Sequence, residues 1–314
     1  MIVSVVGTRP QFIKAAILSN TLEMDMIDTG QHYDYEMAGQ YLEGLKVKHL
    51  ESNGDVSSMY KRLILALDPY DTVIVYGDCN TTLAGALAAK HLGKRLVHIE
   101  AGCRSYDRRM IEEGIRITVD SLSDLNLCST VSALMNLHDE ELQGEFVGDL
   151  SWDYIEKKRN IDVIPDAGMP LITIHRAESM EYVDYILEVI GRTPYRYVWP
   201  QHPKMKDYEL PGNVWPFPPL NYYNMLTAVI AAPFLITDSG GLQKEAYMLK
   251  TKCITLRQST EWPETLTGGW NTLVGTDEDK ILKAIEAKPK THRDGLFGDG
   301  HAAERIKEHV EGID

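Results

Sequence analysis

Short, unbroken apolar runs alternate along this chain with segments whose apolar residues recur at helical spacing. Ile2–Val6 is followed by Gln11–Leu22, with a short apolar segment at Met24–Ile27. Thr72–Tyr76 is followed by Thr82–Leu92, Arg95–Ile99 by Ile111–Leu122, and Leu125–Cys128 by Ser132–Glu141. A strand that is apolar on both faces must be covered on both, so the pattern predicts βαβ units around a buried parallel sheet. Near Asp162–Pro170 the alternation breaks at Pro165, Gly168 and Pro170, which reads as a linker. It then restarts: strands at Leu171–Ile174, Tyr197–Trp199, Phe234–Thr237 and Cys253–Leu256, and helices at Tyr182–Ile190, Tyr222–Ala231 and Leu242–Leu249. The expected fold class is α/β, with two doubly wound, Rossmann-like domains facing each other across a cleft. The expected boundaries are residues 1–165 and 166–298. A last helical segment, 299–314, is expected to pack back on the first domain. Ligands of such sheets sit beyond the carboxyl ends of the strands.

Composition narrows the partners. A chain of 314 residues suits about two domains. Its 32 Lys and Arg against 46 Asp and Glu give a net charge of −14, which argues against nucleic acid or an anionic membrane surface as partner. A phosphate ligand would need a local cluster of Arg, His and backbone N–H. No apolar stretch approaches the roughly 20 residues of a membrane span. Ile2–Val6 has no basic residues before it and ends at Gly7, so it reads as a strand and not a leader. Cys79, Cys103, Cys128 and Cys253 form no CxxC pair, and no HExxH occurs. They are expected to be reduced and mostly packed, in a cytoplasmic protein with no metal site.

Polar residues gather where the strands end. After the first strand come Gly7, Thr8, Arg9 and Pro10, with Lys14 a turn later. Arg9 at a helix start suits an anion, although a βα turn with two solvated cations explains the segment equally well. There is no GxGxxG, which disfavours a dinucleotide cofactor of the usual type. Asp78 follows the Thr72–Tyr76 strand and either caps the next helix or acts chemically. Glu100 ends another buried strand, where a carboxylate is costly unless paired, with Arg104 as a nearby partner, or functional. Glu112 and Glu113 begin a helix, and Glu112 with Arg116 forms an i,i+4 pair. In the second half, His175 and His202 end strands, and either is open to a purely structural role. Ser239, Gly240 and Gly241 open a helix where backbone N–H groups approach an oxyanion. Glu245, one to two turns further on, either binds ribose hydroxyls or is merely exposed. Carboxylates thus cluster in the first half, and His and Ser-Gly-Gly in the second. That division suits a nucleoside diphosphate held by one domain and a sugar presented to acid/base groups of the other.

At these residues the chain resembles the non-hydrolysing UDP-N-acetylglucosamine 2-epimerase family, of GT-B fold, from Ile2 to about Arg305. The motifs are GTRPQFIK at Gly7–Lys14, GQHYD at Gly30–Asp34, YGDCNTTLAGALAA at Tyr76–Ala89 and HIEAGCRS at His98–Ser105. RMIEEGIR at Arg109–Arg116, HRAES at His175–Ser179, TDSGGLQKEA at Thr237–Ala246, TEWPE at Thr260–Glu264 and LVGTD at Leu273–Asp277 complete them. The resemblance implies that Lys14, Asp78, Glu100 and Glu112 line the sugar site, with His175 in the catalytic set. It implies that Arg9, His175, Ser239, Gly240 and Gly241 contact the diphosphate and that Glu245 binds the ribose, with Arg116 and His202 among the substrate contacts. A homodimer is implied, and so is an activator site touching Gln31 and His32. Departures are Ile111 in place of Pro, Ile115 in place of Asn, Lys244 in place of Glu and Trp262 in place of Arg. The chain is also shorter than typical members around Leu50–Asp68 and Asp153–Met169.

The implied reaction interconverts UDP-GlcNAc and UDP-ManNAc, with no cofactor. UDP leaves C1 as a carboxylate removes the C2 proton, giving 2-acetamidoglucal, and re-adds as a proton arrives on the other face. Asp78, Glu100 and Glu112 are the candidates, and mutual repulsion among them would raise at least one pKa. The same residues fit a sister branch acting on UDP-2,3-diacetamido-2,3-dideoxy-glucuronate, or a hydrolysing 2-epimerase releasing UDP and ManNAc. A GT-B glycosyltransferase and a non-catalytic UDP-sugar sensor are the remaining alternatives.

Overall fold

The apolar runs become parallel strands covered on both faces by helices. The computed structural model describes residues 1–31, 46–52, 54–157, 168–201 and 208–312. The chain divides into two units, Met1–Lys157 together with Gly295–Asp314, and Lys158–Asp294.

In the first unit β1 (Ile2–Val6), α1 (Arg9–Ser19), β2 (Asp25–Asp28), β3 (Val47–His49) and α2 (Val56–Ala66) lead to β4 (Thr72–Tyr76). Then follow α3 (Asn80–His91), β5 (Arg95–Ile99), α4 (Ile111–Leu122), β6 (Leu125–Cys128), α5 (Val131–Asp139), β7 (Glu145–Phe146) and α6 (Leu150–Lys157). The sheet order is β3-β2-β1-β4-β5-β6-β7, and every pairing is parallel. β1 and β4 are neighbours, with Ile2 opposite Thr72, although β2 and β3 intervene in sequence. That is the point where the winding reverses, the position at which sheets of this kind bind ligands beyond the strand ends. Val3, Val5, Val73, Val75 and Leu96 are fully buried against Met59 and Leu63 of α2 and Ala84, Ala86 and Ala88 of α3.

The second unit contains β8 (Leu171–Thr173), α7 (Ala177–Met180), α8 (Val183–Gly191), β9 (Tyr197–Pro200), β10 (Val214–Phe217) and α9 (Tyr222–Ala231). It continues with β11 (Phe234–Thr237), α10 (Gly240–Met248), β12 (Lys252–Thr255), a 3-10 segment at Pro263–Gly269, β13 (Asn271–Leu273) and α11 (Glu278–Glu286). The order β10-β9-β8-β11-β12-β13 is again all parallel, with its reversal between β8 and β11. Side chains alternate between the two faces along each strand. Ile172, Ile236 and Ile254 pack with Ile186, Ile190 and Ile281 of α8 and α11, while Leu171, Leu235 and Cys253 pack with Val229, Leu242 and Ala246 of α9 and α10.

The terminal helix, α12 (Ala302–Glu311), is held at both ends by first-unit side chains. Asp153 accepts the backbone N–H of Ala302 and Ala303 at 2.9 and 2.7 Å, which satisfies orphan donors of its first turn. Arg95 donates to the carbonyls of His309 and Val310 at 2.9 and 2.6 Å, which satisfies acceptors of its last turn. Among the described residues no helix is long and apolar enough to cross a membrane.

Candidate active site

The first unit places Arg9, Asp78 and Glu100 just beyond the ends of β1, β4 and β5. Gln11 organises the turn after β1. Its Oε1 accepts from the N–H of Gly7 and Thr8 at 2.9 and 3.2 Å, and its Nε2 donates to the Tyr76 carbonyl and Thr82 Oγ1. One amide therefore ties the β1 turn, where Arg9 heads α1, to the β4 turn. Lys14, one turn into α1, forms an ion pair with Glu100. Glu100 has the left-handed φ of 72°, a backbone strain of about 1–2 kcal/mol for an L residue. A side chain at Gly77, itself at φ 63°, would begin 3.5 Å from Glu100 Oε2, so the turns after β4 and β5 lie together.

Two expectations about these residues change. Asp78 does not cap α3, whose N-cap is Cys79; its carboxylate instead pairs with Arg116 Nη2. The partner of Glu100 is Lys14 rather than Arg104, because Arg104 turns inward to Asp120 and Glu140. A cation thus stands beside each of these two carboxylates. Arg116 also holds Glu113, with Nη1 2.8 Å from Oε2. Glu113 accepts from Ser105 N and Oγ and from Tyr106 N at 2.8–3.0 Å. Burial pushes its carboxyl upward, but these donors and the Arg116 charge win and hold it below its ordinary value. Glu112, beside it in the first turn of α4, is half-buried. Gln31 Oε1 accepts from Thr81 N and Oγ1 at 2.9 and 2.7 Å, fastening the start of α3. His32 and His202 lie outside the described residues.

In the second unit Asp238, directly after β11, is fully buried. Its Oδ2 accepts the backbone N–H of His175 and Arg176 at 2.9 and 2.8 Å, and its Oδ1 lies 3.0 Å from His175 Nδ1. Desolvation would raise this carboxyl, yet the imidazole of His175 and the two amides hold it low. The same contacts turn His175 Nε2 away from Asp238, on a side chain that is 54% exposed. Ser239 is the N-cap of α10, its side chain accepting from Leu242 N at 3.4 Å. A Cβ at Gly240 would stand 2.2 Å from Glu261 Oε1, so a larger residue there would push that carboxylate aside. Glu261 thus lies against the helix start with Arg257 Nη2 2.9 Å from its Oε2. Glu245 is buried, not exposed, and accepts from Tyr222 Oη at 3.0 Å. The departures Lys244 and Trp262 meet, with Nζ 4.5 Å over the indole ring. All four cysteines are free, and three of them are buried.

Gln11, Glu113 and Asp238 escaped the sequence as functional candidates. Gln11 stands within the GTRPQFIK run and Asp238 directly before Ser239, so adjacency was the available signal.

Comparison with known proteins gives the chain its relatives. The UDP-N-acetylglucosamine 2-epimerase family model matches residues 15–311. A UDP-N-acetylglucosamine 2-epimerase homolog of Methanococcus maripaludis is 36% identical over 98% of each chain. A UDP-2,3-diacetamido-2,3-dideoxy-D-glucuronate 2-epimerase of Pseudomonas aeruginosa is 34% identical, covering 98% of this chain and 99% of its own. The crystal structure of the Methanocaldococcus jannaschii UDP-GlcNAc 2-epimerase in complex with UDP-GlcNAc and UDP superposes with a TM-score of 0.83, at 30% identity over 99% of each chain. By the family match and these full-length relatives, this chain belongs to the UDP-N-acetylglucosamine 2-epimerase family.

Proposed function

We propose that this protein is a non-hydrolysing UDP-N-acetylglucosamine 2-epimerase, interconverting UDP-GlcNAc and UDP-ManNAc. The observation that carries it is the pair of carboxylates on neighbouring strand ends, Asp78 after β4 and Glu100 after β5, each matched with a cation, Arg116 and Lys14. Epimerisation at C2 needs one group to take a proton from one face and another to deliver a proton to the other. Asp78, Glu100 and Glu112 supply these groups. As the C1–O bond breaks, its electron pair leaves with UDP, the C2–H pair forms the C1=C2 bond of 2-acetamidoglucal, and the proton passes to a carboxylate. Re-addition of UDP to C1 with protonation on the opposite face of C2 completes the inversion. Arg9, His175 and the Ser239–Gly241 turn stabilise the departing diphosphate, and Glu245 takes the ribose. Arg116 and Lys14 hold the carboxylates in place, and His202 adds a substrate contact.

The second reading keeps the same chemistry but exchanges the sugar for a diacetamido-uronate. It is favoured by the Pseudomonas aeruginosa relative and by the Glu261–Trp262 pair of the TEWPE motif. NMR of each UDP-sugar with enzyme in D₂O decides. Deuterium at C2 with a new manno signal from UDP-GlcNAc supports the first reading; exchange with the uronate alone supports the second. UDP accumulating without an epimer means hydrolysis. The enzyme is further proposed to be a cytoplasmic homodimer serving cell-surface polysaccharide synthesis. The free thiols support the compartment, and light scattering tests the dimer.

A further inference from the structure

One buried charged cluster lies behind the carboxylates and takes no part in the chemistry just described. His98, on β5 two residues before Glu100, has a fully buried side chain. Its Nδ1 is 2.7 Å from Asp120 Oδ1, on α4, and its Nε2 is 2.8 Å from the carbonyl of Gly77. Gly77 immediately precedes Asp78. A carbonyl can only accept, and so can an ionised carboxylate. Asp120 Oδ2 lies 2.7 Å from Arg104 Nη1, a permanent cation whose donor suits a carboxylate. Its Oδ2 also accepts from Gly102 N at 3.2 Å, just beyond Glu100. With acceptors on both sides, the imidazole needs a proton on each nitrogen. Arg104 is paired in turn with Glu140, and the Cys128 thiol, which feels both Asp120 and Arg104, is pushed up to about 12 by burial.

We infer that His98, as a doubly protonated imidazolium clamped between Asp120 and the Gly77 carbonyl, is a positioning residue that sets the placement of Asp78 relative to Glu100. The ring joins three pieces of chain: the turn after β4, the strand that ends at Glu100, and the helix that carries Glu112 and Arg116. Gly77 N donates to Ile99 O at 3.0 Å and Glu100 N to Leu127 O at 3.0 Å, so these turns have little freedom once the ring is seated. A shift of about 1 Å at a catalytic group costs about 10²-fold in rate. The inference rests on the epimerase reading for its catalytic part, but not for the protonation of the ring.

Two measurements test it on the full-length enzyme. In ¹⁵N-histidine NMR at neutral pH, both His98 nitrogens should appear protonated, and in Asp120→Asn one of them should not. A single unprotonated nitrogen in the wild type would overturn the imidazolium. Separately, C2 deuterium exchange should fall about 10²-fold in kcat in His98→Gln, with the KM for the UDP-sugar and the affinity for UDP near wild type. A purely structural histidine would lower the melting temperature and leave kcat per folded molecule unchanged, which sinks the positioning role. If His98→Gln does not fold, Asp120→Asn carries the same kinetic comparison. If the wild type exchanges no UDP-sugar, the epimerase reading fails while the NMR result still decides the ring.

Discussion

Asp78 and Glu100 of the first unit face the side-chain cations Arg116 and Lys14, whereas Asp238 of the second leans on the backbone N–H of His175 and Arg176. The contrast follows from the work proposed for each unit. Proton transfer needs acid/base groups whose charge is balanced and whose position is fixed, and ion pairs on rigid strand ends give both. Holding a diphosphate needs donors aimed outward, and a helix start gives these: α10 begins at the Ser239 cap. Both units place their groups at the reversal of a parallel sheet, so one architecture accommodates two kinds of electrostatic site.

That contrast breaks most sharply at the carboxylates. Asp78→Asn and Glu112→Gln should each lose at least about 10²-fold in turnover while UDP affinity stays near wild type, read as C2 exchange and calorimetry. Near-normal turnover in both removes the first unit from the chemistry. The second unit should respond in the opposite sense. His175→Ala should weaken UDP about 10- to 100-fold, the worth of a hydrogen bond to a charged group. Because Asp238 fixes that histidine, Asp238→Asn should weaken UDP similarly, and the double variant should lose little more than His175→Ala alone. Full additivity would mean that the two act independently.

Much of this was legible in the sequence, and what was hidden is equally particular. The long runs such as TVIVY at Thr72–Tyr76 declare themselves because continuous β-branched residues leave no face for water. β3, β7 and β13 span only 3, 2 and 3 residues, too few for a period to emerge. Polar residues at strand ends were visible, but their partners were not. Arg104 is nearer in sequence to Glu100 than Lys14 is, yet Lys14 makes the ion pair, because the order β1-β4-β5 brings the helix after β1 near the end of β5. Similarly, Asp238 reads as a turn residue beside Ser239, and only the fold brings β8 next to β11 and His175 within its reach.

Acid should sharpen the comparison from the first unit's side. The Glu113 carboxyl lies below its ordinary value in the folded protein, so its stabilising contribution is complete above the unfolded value of about 4.3 and is lost as pH falls through the folded value. Glu113→Gln should therefore cost about 2 kcal/mol at neutral pH, from the lost charge-assisted bonds to Ser105, Tyr106 and Arg116. In urea titrations the gap to wild type should close as the pH drops below about 4. A gap that stays constant with pH would mean that Glu113 contributes by shape and not by charge.

The smallest effect should come from the helix start of the second unit. Ser239→Ala removes the N-cap of α10 and should cost about 1 kcal/mol of stability, because Leu242 N loses its side-chain acceptor. Its outcome separates two meanings of the same serine. If the serine only caps the helix, UDP affinity stays near wild type and saturating UDP raises the melting temperature of the variant as much as that of the wild type. If its hydroxyl also donates to the diphosphate, affinity falls several-fold and that ligand-induced rise shrinks with it, since stabilisation by a ligand follows the ratio of its concentration to Kd. The second result would place the Ser239 hydroxyl beside the His175 side chain at the diphosphate, so that the second unit would hold its ligand through two side chains as well as its backbone.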